Sequence, residues 1–301
     1  MGGVNVSMPD DDANLLFSNP GLIAESWDNL FAVNYIRYLA GISLASAVYS
    51  RCLGNGGAWA AGLQYMNLGE FVKRDATGQE LGTFTGAEYF AVAGGSHMIG
   101  PFRMGVALKY ANSTIDAWTA GALAVDLGGV YIHPNQELTA GLSIRNIGVV
   151  IDDFTPESRS RLPFDVQAGA SIKPEHMPFR FSVTASNLAS PVLRDNPQGA
   201  VNNESSGAVD KVLSRITIGA EALLGENFNI RGGYSHLTNR EMRLMNGSRG
   251  AGFSFGFMLK VKAFEFSFSR ALQHAGGGSS FFSLQSAMNA IFTRNKLEIK
   301  Q

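Results

Sequence analysis

The stretch Ala251-Gly252-Phe253-Ser254-Phe255-Gly256-Phe257-Met258-Leu259-Lys260-Val261-Lys262-Ala263-Phe264-Glu265-Phe266-Ser267-Phe268-Ser269-Arg270 decides the fold. Phe253, Phe255, Phe257 and Leu259 hold odd positions; Phe264, Phe266 and Phe268 hold even ones. Side chains two apart in a strand share a face, so each run has an aromatic face and a polar one. The change of phase near Val261–Lys262 is what a tight hairpin produces. Folding there is expected to set Phe257 opposite Phe266 and Phe255 opposite Phe268. A soluble sheet can carry such a ribbon if the aromatic face is covered. A membrane barrel carries it because lipid lies on one side and a polar lumen on the other. On that reading Phe253, Phe255, Phe257, Phe264, Phe266 and Phe268 are candidate lipid contacts.

The rest of the chain shares the pattern. Of its 301 residues 45% are apolar and only 16% charged, against roughly 25% charged in soluble domains. A net charge of −1 gives no basic field for nucleic acid. The single Cys52 excludes an intrachain disulfide and a cysteine-cluster metal site. No run approaches the ~20 apolar residues of a membrane-spanning helix; the best are broken within ~10, the length of a tilted barrel strand. Met1-Gly2-Gly3 leads straight into Val4, with no basic start and no apolar run, as expected of a mature or truncated form.

Period-two alternation recurs along Val106–Tyr110, Leu138–Ile144, Val166–Ile172, Phe179–Ala185 and Ile216–Ala222. It predicts about fourteen strands, near 30–38, 41–52, 57–68, 83–95, 101–112, 117–131, 136–148, 162–173, 178–187, 212–224, 228–237, 248–260, 263–270 and 279–287. The fold class expected is all-β, a transmembrane antiparallel barrel of about fourteen strands preceded by an N-terminal segment. Residues 1–29 form that segment, 30–288 the barrel and 289–301 a tail carrying Arg294, Lys296 and Lys300. The connections at 96–100, 132–135, 173–178, 225–227 and 261–262 are short, whereas 69–82, 149–161, 188–211 and 238–247 are longer and polar. Such alternation puts both termini on the short-turn, periplasmic side of a bacterial outer-membrane barrel. The 189–211 loop has almost no apolar content and is expected to be an external loop, or a docking loop for a partner.

The N-terminal stretch departs from the strand pattern. Within Asp10-Asp11-Asp12-Ala13-Asn14-Leu15-Leu16-Phe17-Ser18 a short helix is expected from about Asp11 to Ser18, with carboxylates at its positive end, stopped by Asn19-Pro20. Gly2-Gly3, the acidic cluster with Asp11 and Asp12, the apolar run and Asn19-Pro20-Gly21-Leu22 together resemble the N-terminal signature of the PorV/PorQ outer-membrane proteins, relatives of FadL-type barrels, which implies a FadL-like barrel with an N-terminal luminal or plug segment. Asn34-Tyr35, Tyr38–Ile42, Gly62–Tyr65 and Leu68–Phe71 continue the likeness. The modest length and the ending Phe281-Phe282-Ser283-Leu284 are more like the shorter, PorQ-type members. The resemblance implies a non-enzymatic component of the type IX secretion system. Such a barrel anchors the surface attachment complex that processes cargo and links it to lipopolysaccharide, with PorZ, PorU and PorV as partners besides outer-membrane lipid. A FadL-like channel for hydrophobic small molecules is the alternative.

Chemistry-bearing motifs are sparse. His97, His133, His176, His236 and His274 do not fall at metal-ligand spacing. Gly276–Ser280 lacks the Lys-Ser/Thr of a phosphate loop, and neither a nucleophile elbow nor a zinc-protease motif occurs. No catalytic residue, cofactor or metal is expected. Lys109, Arg145, Lys173, Arg180, Glu221 and Arg231 mostly fall in the polar phase. Facing lipid at mid-depth would cost about 2–4 kcal/mol for each basic one, so they are expected to face the lumen or strand ends, as a salt-bridged filling or a pore lining.

Overall fold

The computed structural model describes residues 2–38, 41–135, 137–189, 212–242, 250–274 and 277–289. Fourteen antiparallel strands form one closed barrel. They are β1 Leu30–Arg37, β2 Ser43–Gly54, β3 Gly57–Arg74, β4 Glu80–Ile99, β5 Phe102–Ile115, β6 Trp118–Ile132 and β7 Leu138–Asp152, followed by β8 Asp165–Ile172, β9 Phe179–Ala185, β10 Ile216–Leu223, β11 Phe228–Ser235, β12 Phe253–Val261, β13 Phe264–His274 and β14 Gly277–Ala287. β1 pairs with both β2 and β14, so no edge strand remains. A short helix, α1, spans His236–Glu241.

Alternation sorts the wall into two faces. Phe253 (53% exposed), Phe255, Phe264 and Phe266 point outward, while Glu221, Lys109 and Asp126 are buried inside. Phe257 faces out beside Phe266 and Phe268, and Phe268 is itself half-buried against Phe282. The expected hairpin register is corrected by two residues. Phe257 pairs with Phe268, Leu259 with Phe266, and Phe255 with Arg270. The earlier pairing would leave no residue for the turn. The chain needs two, Lys262 and Ala263, and Lys262 adopts φ +57° to make them.

The 69–82 connection is also shorter than expected. β3 runs on to Arg74 and β4 begins at Glu80, leaving 75–79 as the turn. A bulge between Asn67 and Gly69 shifts the phase there, which breaks the period that marked the strand in the sequence. In β7 the same device acts at Arg145–Asn146, which oppose Asp126. Outward positions change from Leu142 and Ile144 to Ile147 and Val149, and Asn146 takes φ +60°. Connections longer than ten residues (153–164, 186–215, 236–252) all leave the end opposite Leu30 and Ala287, where the chain enters and leaves the barrel. The wall is uneven: β3–β7 have 14–20 residues and β8–β11 only 7–8. The 190–211 part of the expected docking loop and the 290–301 part of the tail lie outside the described residues.

A closed even-stranded antiparallel barrel with an apolar outer face belongs in the bacterial outer membrane. Within the described residues no helix is long and apolar enough to cross a membrane.

Candidate functional site: the barrel interior

Residues 2–29 touch strands all round the ring. The Gly2 amide donates to Ser254 Oγ on β12 (3.0 Å), and the Ser7 and Ser171 hydroxyls meet at 2.7 Å on β8. Gln285 on β14 donates to the Asp11 carbonyl (2.6 Å). On β7, Ser143 donates to the Ser18 carbonyl (3.1 Å) and Arg145 to that of Phe17 (3.0 Å). Only the inside of a closed ring reaches all of these, so the segment lies within the barrel. Instead of one helix from Asp11 to Ser18, it makes 3-10 turns at Ala13–Phe17, Pro20–Leu22 and Glu25–Trp27. Asp12, not Asp11, caps the first, accepting from the Asn14 amide (3.0 Å). A 3-10 turn suits a run of five residues, too short for a stable α-helix.

The family-motif residues occupy different points of this segment. Asn19 is fully buried: its Nδ2 donates to the Val6 carbonyl (2.7 Å) and its Oδ1 accepts from the Gly21 amide (2.8 Å). Pro20 and Gly21 press onto bare backbone. A Cβ on Gly105 would lie 2.3 Å from the Pro20 oxygen, and one on Gly21 would lie 2.8 Å from the Gly129 nitrogen. Asp11 accepts from Ser26 Oγ (2.5 Å). Gly2 and Gly3 adopt φ +78° and +117°.

Two kinds of interior surface receive the segment. On β1–β5, Leu30, Ala32, Val48, Ala58, Ala60, Val92 and Ala107 form one cluster with Leu16, Ile23 and Trp27, and Leu15, Phe17 and Phe90 pack against it. A second apolar group lies at the mouth on the long-loop side, separated from this one by the inward Glu88 and Ser113. Leu68 lies against Gly86, which pairs with Ile115, which pairs with Trp118 (54% exposed). Phe84, two residues from Gly86, stacks on Phe71 at 5.3 Å.

The opposite wall is ionic. Glu221 accepts from Arg180 Nη2 and Arg231 Nε, both at 2.7 Å, and Asn229 adds a donor at 3.3 Å. Arg231 Nη2 also reaches the Asp10 carboxylate (3.0 Å), tying the N-terminal segment to β11. A second ionic group joins β5–β7: Lys109 pairs with Asp126, Arg145 lies 3.7 Å from it, and the Asn146 amide of the bulge donates to it (2.8 Å). Of the six charged residues expected to face the lumen or strand ends, Lys109, Arg145, Arg180, Glu221 and Arg231 face inward as ion pairs, and Lys173 sits in the turn after β8. Sequence reading missed Asp10 and Asp126 as their partners. The signal was present, since Asp126 is the one carboxylate in the run Ala120–Ile132.

Among the described residues no group of His, Cys, Asp and Glu could hold a metal. His97 lies two residues before the end of β4, His133 and His176 lie in turns, and His236 opens α1. A depression of about 530 Å³ lies on the outer wall between Tyr49, Leu63, Leu108 and Tyr110, floored by Ala61, Ala91 and Ala93.

No family model and no curated protein matches this chain. Solved structures do. The Ralstonia pickettii toluene transporter TbuX superposes with a TM-score of 0.60 at 12% identity, over 95% of this chain and 96% of that one. The Pseudomonas putida toluene transporter TodX gives 0.57 at 10% identity, over 95% and 94%. The CymD monoaromatic hydrocarbon channel gives 0.52 at 10%, over 95% and 94%. The fold is FadL-like. At these identities the likeness concerns architecture alone.

Proposed function

We propose that this outer-membrane barrel binds and admits hydrophobic small molecules. The observation that carries the reading is a pair of apolar inner groups, Phe71, Phe84, Ile115 and Trp118 at the mouth and Phe90 with the Leu16–Trp27 cluster below. They offer an aromatic or aliphatic solute apolar contact at two levels, with the inward Glu88 and Ser113 to pass between them. Three neighbours in architecture are named for toluene or monoaromatic hydrocarbons, which supports that class of solute. The reading makes the N-terminal segment a plug, because Leu16, Ile23 and Trp27 fill the lower part of the path and must shift for passage.

Equilibrium binding of radiolabelled toluene to the purified barrel tests this. Saturable binding, lost in the Phe84→Ser/Trp118→Ser variant, is expected. Absence of saturable binding to the folded wild type would rule it out.

A second reading rests on a different observation, the filled interior. Leu16, Leu22, Ile23 and Trp27 have no solvent exposure, and the ionic wall is bonded to the N-terminal segment through Asp10. A filled barrel suits a static anchor. In that reading the protein is a type IX secretion component of the PorQ kind, and its external surfaces dock PorZ, with PorU and PorV in the same complex. Affinity purification from native membranes separates the two: recovery of secretion partners favours the anchor, and recovery of apolar ligands alone favours the channel.

A further inference from the structure

The outer wall carries a feature that neither reading uses. Following the pairing across β13, β14, β1 and β2, Arg270 stands beside Ser280, Ser280 beside Arg37, and Arg37 beside Ser43. All four hold outward positions, because Phe266 and Phe268, Phe282 and Leu284, and Val33 and Tyr35 share their phases on the same strands. Arg37 is the last residue of β1, at the end of the barrel from which the long connections leave. The next tier toward mid-barrel is Phe268, Phe282, Tyr35, Ala45, Tyr65 and Tyr89 in register. Phe268 and Phe282 lie 5.1 Å apart by ring centroid, and so do Tyr65 and Tyr89. An aromatic belt followed by a polar row marks the edge of the apolar band.

Arg37 and Arg270 make no ion pair among the described residues, unlike Lys73 and Arg74, which are matched by Asp116 and Glu80. Two strand spacings of about 4.8 Å place their backbones about 10 Å apart, with the Ser280 hydroxyl between. Two guanidinium forks flanking a hydroxyl at a membrane edge match a phosphate, which each fork can bind through two oxygens.

We propose that Arg37, Ser280 and Arg270 hold the phosphate of a phosphorylated outer-leaflet glycolipid, whose acyl chains lie over the Phe268–Phe282–Tyr35 tier. The two arginines supply the charge and forks, Ser280 a hydrogen bond, and the aromatic tier the apolar contact that keeps the lipid upright.

Native mass spectrometry of the purified barrel with bisphosphorylated lipid A tests the site. The wild type should retain one lipid. The Arg37→Gln/Arg270→Gln variant should bind it about 10–100-fold more weakly, since two charge-assisted contacts are lost. Arg51→Gln, at the opposite end of β2, should bind as the wild type does. Heat-modifiable migration on gels checks that each variant is folded. Equal retention by the double variant would overturn the proposal. So would equal retention of lipid A stripped of its phosphates, which would mean acyl contact alone, or displacement by millimolar inorganic phosphate, which would mean a free-anion site.

Discussion

On the β1–β5 side of the lumen, Leu16, Ile23 and Trp27 press on Ala32, Val48, Ala60 and Val92. On the β9–β11 side, Asp10 and Glu221 share the guanidinium groups of Arg180 and Arg231. The same N-terminal segment makes both contacts by different physics. Apolar packing is non-directional and scales with buried area, so that side depends on volume. The ionic side depends on completeness, because a buried charge that loses its partner keeps its desolvation cost. The Trp27 indole N–H donates to the Asp10 carbonyl (3.0 Å) and couples the two.

The largest effect should come from the volume-dependent side. Trp27→Ala removes the bulkiest fully buried side chain and is expected to cost about 3–5 kcal/mol. A lowered urea midpoint for loss of heat-modifiable migration would show it. Trp27→Phe should recover most of the loss. If Ala and Phe behave alike, volume is not what this side contributes.

The ionic side should respond nearly as strongly to partial damage and weakly to complete replacement. Glu221→Gln leaves Arg180 and Arg231 sharing only Asp10 and is expected to cost about 3 kcal/mol. Replacing Asp10, Glu221, Arg180 and Arg231 together with Met should cost far less in the same urea titration. A quadruple variant worse than the single one would mean the network is a net source of stability.

The outer and inner faces give a third contrast. Phe266→Arg, two outward tiers below Arg270, puts a cation toward lipid and is expected to cost about 2–4 kcal/mol at mid-depth, impairing assembly into vesicles. Ser267→Arg, one residue away and inward, should assemble better. Equal assembly of the two would overturn the register.

The fold was legible because barrel strands announce themselves by period. All fourteen were placed, and Phe253 to Phe268 declared their face. What escaped were phase breaks. The bulge at Asn67–Gly69 hid the long β3–β4 hairpin, and the bulge at Arg145–Asn146 became interpretable only with Asp126 across from it. The interior was less legible. Lys109, Arg180 and Arg231 were readable as inward, but their partners lie 17, 41 and 10 residues away or on the N-terminal segment, and that distance is set by topology, which period alone does not encode. The apolar inner surface escaped for a related reason. Ala58, Ala60 and Ala107 are small and read as neutral, until a closed ring sets them around Leu16 and Trp27.

Close approach separates the two sides again at smaller scale. Gly21 meets the backbone of Gly128 and Gly129, so Gly21→Ala is expected to push the segment off β6 and cost about 1–3 kcal/mol. Faster amide exchange at residues 19–23 would localise the damage. Gly232→Ala on β11, where a Cβ meets nothing within 4 Å, should be nearly neutral. Comparable losses would mean that backbone contact does not fix the segment.

Outside the barrel the comparison weakens to a single loop. The Ser158 hydroxyl, then the Ser160 amide, hold the Asp153 carboxyl down at about 2. A carboxyl depressed in the folded state stabilises its loop above its ordinary value near 3.8, and that contribution fades as pH falls through about 2. The 153–164 loop should therefore keep its protection from proteolysis between pH 7 and 4 and lose it only in stronger acid. Asp153→Ala should remove the protection at neutral pH, while the barrel, whose ionic groups are inside, keeps its heat-modifiable form. A loop already open at pH 5 in the wild type would mean that other carboxylates, not Asp153, hold it.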